Sequence, residues 1–168
     1  MLDLAHLLEQ ADRLAIPLPG EAQARPTDLR RAVSTLYYAV FHAGLTAAAD
    51  QFAGVPNRGS PLYNLVYRSI DHKRLAGWSR TVSSANLPSN LRPYEPAGGW
   101  DQHIRDFGRG LVTLYEQRTL ADYDPAALIL PTEVANHSNT ARQAIADLAA
   151  SSADCKQAFF TLLLFPPR

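Results

Sequence analysis

RRAVSTLYYAVFHAGLTAAAD, residues Arg30–Asp50, is the longest unbroken helical pattern in the chain, with neither glycine nor proline before Gly44. At about 100° per residue, Val33, Leu36, Tyr37, Val40, Ala43, Gly44 and Ala47 fall on one side and form a core stripe. Thr27 is placed to cap the start of this helix, with Asp28 at the positive end of its dipole. The opposite side carries Arg31, Ser34, Thr35, Tyr38 and His42, stacked turn over turn. A helix that is apolar on one face ordinarily turns lysine and glutamate to water. This one turns out a guanidinium, two hydroxyls, a phenol and an imidazole, so function is sought there first.

The flanking chain is helical too. Leu4, Leu7, Leu8, Ala11 and Leu14 recur at helical spacing behind Asp3, a natural cap, and Pro17, Pro19 and Pro26 bracket the linker that follows. Ser60-Pro61 opens a short third helix through Ile70, running into Asp71-His72-Lys73-Arg74. Between about residues 81 and 99, three prolines and the Gly98-Gly99 pair rule out a long regular element. Periodicity resumes from Trp100 to Arg118, where Gly108 and Gly110 invite another backbone to approach closely. Thr132-Glu133 opens the next helix, and Ser151-x-x-Asp154 resembles a capping box before a last helix, Ala153–Leu164. No strand-length alternation, repeat or low-complexity tract occurs. The pattern predicts an all-α fold, an antiparallel helical bundle with short appended helices, as a single domain over 1–168.

Composition narrows the function classes. Hydrophobic residues at 46% and charged residues at 19% describe an ordinary globular domain, long enough at 168 residues to bury one core. Net charge is zero, so no global basic field draws nucleic acid in, and any RNA-binding surface must be a local patch. Only Lys73 and Lys156 among the basic residues are lysines. Arginine's planar fork suits phosphate or carboxylate, although a compositional bias explains the preference equally well. Cys155 is the single cysteine, which excludes an intrachain disulfide and a multi-cysteine metal site. Asp3 and Glu9 interrupt any secretory pattern, and the apolar run Phe159–Phe165 is too short to span a bilayer. A cytoplasmic protein without membrane, metal or cofactor is expected.

R-A-V-S-x-x-Y-Y-A-V-F-H-A, within the central stretch, resembles the signature helix of the HEPN superfamily. LYEQRTLADYD, residues Leu114–Asp124, is similar to that family's R-x-x-A-D-Y segment and follows in the right order. With the helix after it, the resemblance covers about half of the chain. It implies a bundle of HEPN type, a homodimer with the active site shared between two copies, and metal-independent ribonuclease chemistry. In catalytic members an arginine holds the scissile phosphate, and a histidine separated from it by four to six intervening residues moves protons around the ribose 2′-hydroxyl. Arg118 stands at the arginine position, but the histidine position holds Tyr123. A phenol with a reference pKa of about 10 is a poor base at neutral pH, so the departure removes proton transfer while keeping an anion-binding pair. A further tyrosine, a target for nucleotide addition in some members, is replaced here by Pro125.

Among other histidines, His42 is the best substitute because it shares a face with Arg31 and Tyr38. Arg68 and His72 sit a turn apart, one residue short of the family spacing, and read as an ordinary exposed helix end. His103 and His137 have neither a spacing partner nor a nearby motif, and no metal-ligand spacing is present. Arg118, Tyr123 and His42 are therefore the candidate catalytic residues. Arg31, Tyr38, Arg118 and Asp122 are the candidates for holding RNA or a nucleotide. A purely structural reading stands beside this one. Asp122 follows Arg118 by four residues, and a salt bridge there closes a helix end. Tyr123 can bury its ring and bond Arg31 or His42, making a fully satisfied polar knot. The expectation is an RNA- or nucleotide-binding protein, a weak or degenerate ribonuclease of a toxin–antitoxin or defence system. The alternative is a non-catalytic module regulating a protein partner such as a nucleotidyltransferase.

Overall fold

The computed structural model describes residues 3–167. It contains α1 (Leu4–Leu14), α2 (Pro26–Ala53), α3 (Pro61–Arg68), α4 (His72–Ser83), α5 (Gln102–Tyr123), α6 (Pro131–Ala150) and α7 (Ala153–Leu164). Two short 3₁₀ turns, Val55–Asn57 and Arg92–Tyr94, lie in the connections, and the described residues include no strand. The fold is an all-α helical bundle, as the periodicity predicts.

α2 is its axis: α1, α3, α5 and α6 all pack against it. That enclosure corrects the expectation of one apolar side. The stripe from Val33 to Gly44 is buried, but so are Ala32, Ala39, Phe41, Leu45 and Ala48 on other sides. Alanine makes this possible, because a methyl lets a neighbouring helix come close without a cavity. Ala47, expected in the core, is only half-buried. The helix also starts earlier than expected. Pro26 occupies the first turn, where its missing N–H costs nothing, and the N-cap Arg25 makes no side-chain cap, so Thr27 is helical and not the cap.

α5 runs antiparallel to α2, with Ser34 meeting Asp122 near one end and Gly44 meeting Phe107 towards the other. α6 returns antiparallel to α5, bringing Ala144 to Gly110 and Asp147 to His103. The two glycines of α5 face different neighbours within the chain. A Cβ on Gly108 would lie 2.4 Å from Ser83 Oγ and 3.0 Å from the Ser79 carbonyl of α4, and one on Gly110 would lie 2.9 Å from Ala144 Cβ. Both are occupied by intrachain packing, so they give no support to a dimer interface.

The stretch after α3 also differs from expectation. The chain breaks at Ser69–Asp71, where Asp71 accepts from the Arg74 amide and starts a separate helix, α4, that reaches Ser83. Arg68 and His72 are therefore on two helices, not one face of a single helix. The irregular segment runs from Ser84 to the α5 cap Asp101 and is pinned at both ends. Arg105 donates to the Val82 and Ser84 carbonyls, while Trp100 is buried edge-on to Trp78 at 6.1 Å. Asp101 caps α5 through the Ile104 amide and also accepts from Ser151 Oγ and the Ser152 amide. Burial opposes its charge, but those donors hold its carboxyl at about 2. Ser152, not Ser151, caps α7, accepting from the Cys155 amide.

Candidate functional site

The seam between α2 and the last turns of α5 gathers most of the sequence-derived candidates. Arg118 Nη2 donates to the Tyr38 hydroxyl at 3.3 Å, and its Nε lies 2.7 Å from Asp122 Oδ2. That Nε–H is buried and is not directed at an acceptor, so the carboxylate contact is ionic without being an aligned hydrogen bond. The guanidinium carbon lies 5.7 Å from the Tyr38 ring centre, 6.0 Å from Tyr37 and 5.3 Å from Tyr123. Asp122 also accepts from Ser34 Oγ at 2.5 Å, which keeps that buried hydroxyl satisfied. Burial works against the Arg118 charge, yet Tyr38 and Asp122 more than offset it, and its pKa is raised.

Tyr123 is 69% exposed, so the expected burial of its ring does not occur; it lies against Arg118 from outside. Arg31 is exposed as well and lines a cleft of about 380 Å³ with Thr27, Arg30, Ala121, Asp122 and Tyr123. Arg31, Asp122 and Tyr123 thus share this cleft, while Tyr38 and Arg118 meet about two turns further along α2. His42 continues the row. Its ring stacks on Tyr38 with centroids 6.1 Å apart, and its Nδ1 lies 2.7 Å from the Tyr67 hydroxyl of α3.

Two residues that sequence reasoning missed complete the picture. Arg30, one position before the expected functional face, donates from Nε to the Ala121 carbonyl at 2.7 Å. Its Nη2 and Nη1 donate to the Asp124 and Ala127 carbonyls at 2.6 and 3.1 Å. A cation on the unpaired carbonyls of a helix C-terminus is favourable on both hydrogen-bonding and dipole grounds, so Arg30 is the tie that fixes the end of α5. His72, set aside in the sequence as an exposed helix end, is half-buried at the first residue of α4. Its ring lies on Phe41 at 4.0 Å and edge-on to Tyr38 at 5.7 Å, and its Nδ1 lies 2.8 Å from the Tyr37 hydroxyl. No local spacing signals this contact, because its partner is 35 residues upstream.

The Tyr37–His72 pair has a chemical consequence. Tyr37 is fully buried, and its pKa is raised far above the phenol range by burial, against the opposing Arg118 charge. Its O–H must donate, and among the described residues its hydrogen-bond partner is His72 Nδ1. The reverse tautomer would leave a buried phenolic O–H unsatisfied, at a cost of about 1–3 kcal/mol. His72 therefore carries its proton on Nε2. Burial lowers the pKa of His72, as does the nearby Arg118, with Asp71 opposing. Burial also lowers His42, and His72 adds to that. At neutral pH the seam presents one guanidinium beside two neutral imidazoles.

A second histidine acquires a partner elsewhere. His103 on α5 lies 2.8 Å from Asp147 on α6, whose other oxygen accepts from Gln143. The Asp147 hydrogen bond raises the His103 pKa. His103 is thus not partnerless, although its partner could not be found by spacing. No group of three or more His, Cys, Asp or Glu among the described residues is arranged to hold a metal ion, and no helix among them is long and apolar enough to cross a membrane. No family model, curated protein or solved structure matches this chain.

Proposed function

We propose that this is a HEPN-like helical protein that binds RNA or a nucleotide through its phosphate at the Arg118 seam, and cleaves RNA weakly or not at all. The observation that carries this reading is the contrast between two arginines. Arg30 donates from all three of its nitrogens to main-chain carbonyls. Arg118, among the described residues, makes one directed hydrogen bond, from Nη2 to Tyr38; its Nε–H is buried against Asp122, and its Nη1 hydrogens are left for another acceptor. A half-buried guanidinium of that kind offers a fork to phosphate at reduced dielectric. Weak cleavage follows from Tyr123 at the histidine position and from His72 with no lone pair on its outer nitrogen. Copies of the chain pair as a homodimer in this proposal, and its setting is a toxin–antitoxin or defence system.

The test is fluorescence anisotropy with labelled single-stranded and structured RNA, beside a cleavage assay in chelator. Wild type is expected to bind without cutting, and Arg118→Ala to lose about tenfold or more in affinity, the scale of one charge-assisted contact. Tyr123→His is expected to raise cleavage. RNA cleavage that survives Arg118→Ala in chelator would refute the assignment.

The alternative, a non-catalytic module on a partner such as a nucleotidyltransferase, is favoured by one feature. Leu120, Tyr123, Leu128 and Leu130 are all exposed around the α5–α6 connection, and exposed apolar groups near one another suit protein contact. Co-expression with the neighbouring gene product, followed by size-exclusion chromatography, separates the two readings.

A further inference from the structure

Resting on the reading of the seam as a phosphate site, the geometry points to His72 as a second anion-binding residue. Its Nε2–H, fixed in that form by the Tyr37 hydroxyl, works beside the Arg118 guanidinium on a phosphodiester oxygen.

Placement supports this first. Asp71 caps α4 through the Arg74 amide and so delivers His72 at the start of a rigid element. The imidazole lies edge-on to Tyr38, the same residue whose hydroxyl accepts from Arg118. Arg118 is close enough for its charge to disfavour the imidazolium.

Orientation supports it second. Nδ1 is turned inward to a fully buried hydroxyl, which leaves the Nε2 edge as the part of this half-buried ring that solvent can reach. A neutral imidazole in that tautomer donates and cannot accept at Nε2. His72 thus holds a phosphodiester oxygen without itself being a base for the 2′-hydroxyl proton.

Charge supplies the third argument. The titratable and charged groups around His72 are Asp71 on its own helix, Tyr37, Tyr38 and His42 on α2, and Arg118 on α5. Burial and the Arg118 charge, against the opposing Asp71, keep the imidazole neutral. A proton added at Nδ1 would take the acceptor from the buried Tyr37 hydroxyl, so a bound anion meets the Nε2–H of a neutral ring.

The experiment uses the full chain and nitrogen-15 NMR of the histidine rings, with sulfate and a dinucleoside monophosphate as probes. Neither probe titrates between about pH 5 and about pH 8, the range in which histidine does. The ligand-free spectrum is expected to show His72 with protonated Nε2 and unprotonated Nδ1. Either probe is expected to shift the His72 Nε2 signal while Nδ1 stays unprotonated. His72→Gln, which keeps an N–H donor at the Nε2 position, is expected to bind within about threefold of wild type, and His72→Leu to lose about tenfold. The opposite tautomer, or His72 signals that do not move at saturation, overturns the inference even if the Leu variant fails to fold. RNA binding that depends on Arg118 while His72 stays silent overturns this inference alone. Sulfate shifts at His72 with no RNA binding uphold it and remove the polynucleotide reading.

Discussion

Arg30→Met removes the guanidinium that ties α2 to the end of α5 while keeping most of the aliphatic stem. Three carbonyls lose a charged donor: Ala121 at 2.7 Å, Asp124 at 2.6 Å and Ala127 at 3.1 Å. Hydrogen bonds to a charged group contribute about 1.5–3 kcal/mol each. Arg30 is half-buried, so water can reach some of the orphaned carbonyls, and three bonds from one side chain are not additive. The sum therefore belongs near the low end, at about 3–4 kcal/mol, for a chain of this length roughly 6–16 °C in Tm. Arg30→Lys supplies one ammonium in place of a three-nitrogen fork and is expected to recover less than half. Urea denaturation followed by circular dichroism reads both variants. A loss below about 1 kcal/mol for Arg30→Met, at unchanged m-value, would refute the assignment of Arg30 as the structural tie.

Gly108→Ala would drive a Cβ to 2.4 Å from Ser83 Oγ and 3.0 Å from the Ser79 carbonyl. The clash is expected to outweigh the helix-propensity gain and destabilise by about 1–2 kcal/mol. Gly77→Ala, with nothing within 4 Å, is expected to stabilise by about 0.4–1 kcal/mol in the same melts. The pKa values of His42, His72 and His137 are all lowered, each chiefly by burial. Their contribution to stability is complete above the unfolded value of about 6.5 and is lost as pH falls towards their folded values. His103, raised by Asp147, works with the opposite sign: its contribution is present below about 6.5 and lost as pH rises through its folded pKa. Melts at stepped pH are expected to show the acid-side loss shrink in His72→Gln and the alkaline-side loss disappear in His103→Gln. Asp122→Asn removes the negative charge beside Arg118 and is expected to raise sulfate affinity by about fivefold while lowering stability by about 1 kcal/mol. A stability loss with unchanged anion affinity would leave the seam as a structural knot alone.

The helices were legible in the sequence because each carries its own local record. Asp3 and Ser60 cap α1 and α3 through the Ala5 and Tyr63 amides, and the α7 span Ala153–Leu164 was readable from its periodicity. α4 was not, because its single-turn separation from α3 interrupts neither polarity nor length enough to show. The enclosure of α2 was likewise hidden. Ala32, Ala39 and Ala48 read equally well as exposed helix formers, and only the arrival of α1 and α6 decides their burial. At the seam, the α2 face could be read because Tyr38 and His42 lie one turn apart. His72 could not, since it reaches the site through tertiary packing against Tyr37 and Phe41. Arg30 and Arg31 are adjacent, and a helical wheel separates them by about 100° without saying which will find carbonyls and which will find water.

That separation lets one stretch of α2 tie the end of α5 and also border the proposed phosphate site. The end of α5 must be held if Arg118, Asp122 and Tyr123 are to keep their places, since unpaired terminal carbonyls otherwise fray the last turn. Arg30 does this from one side of α2 and is consumed by it. Ser34 holds Asp122 from an adjacent position, and Asp122 in turn sets the Arg118 guanidinium without taking a directed bond from its Nε–H. Each tether is therefore complete before Arg118 is reached, and the chain of satisfied groups stops there. A polar knot built only for stability would be expected to close on its last arginine, because a half-buried N–H without an acceptor costs free energy. This one leaves its last arginine with donors to spare, behind an exposed tyrosine and beside an imidazole whose outer nitrogen also donates. Donors gathered without matching acceptors are the complement of a phosphate.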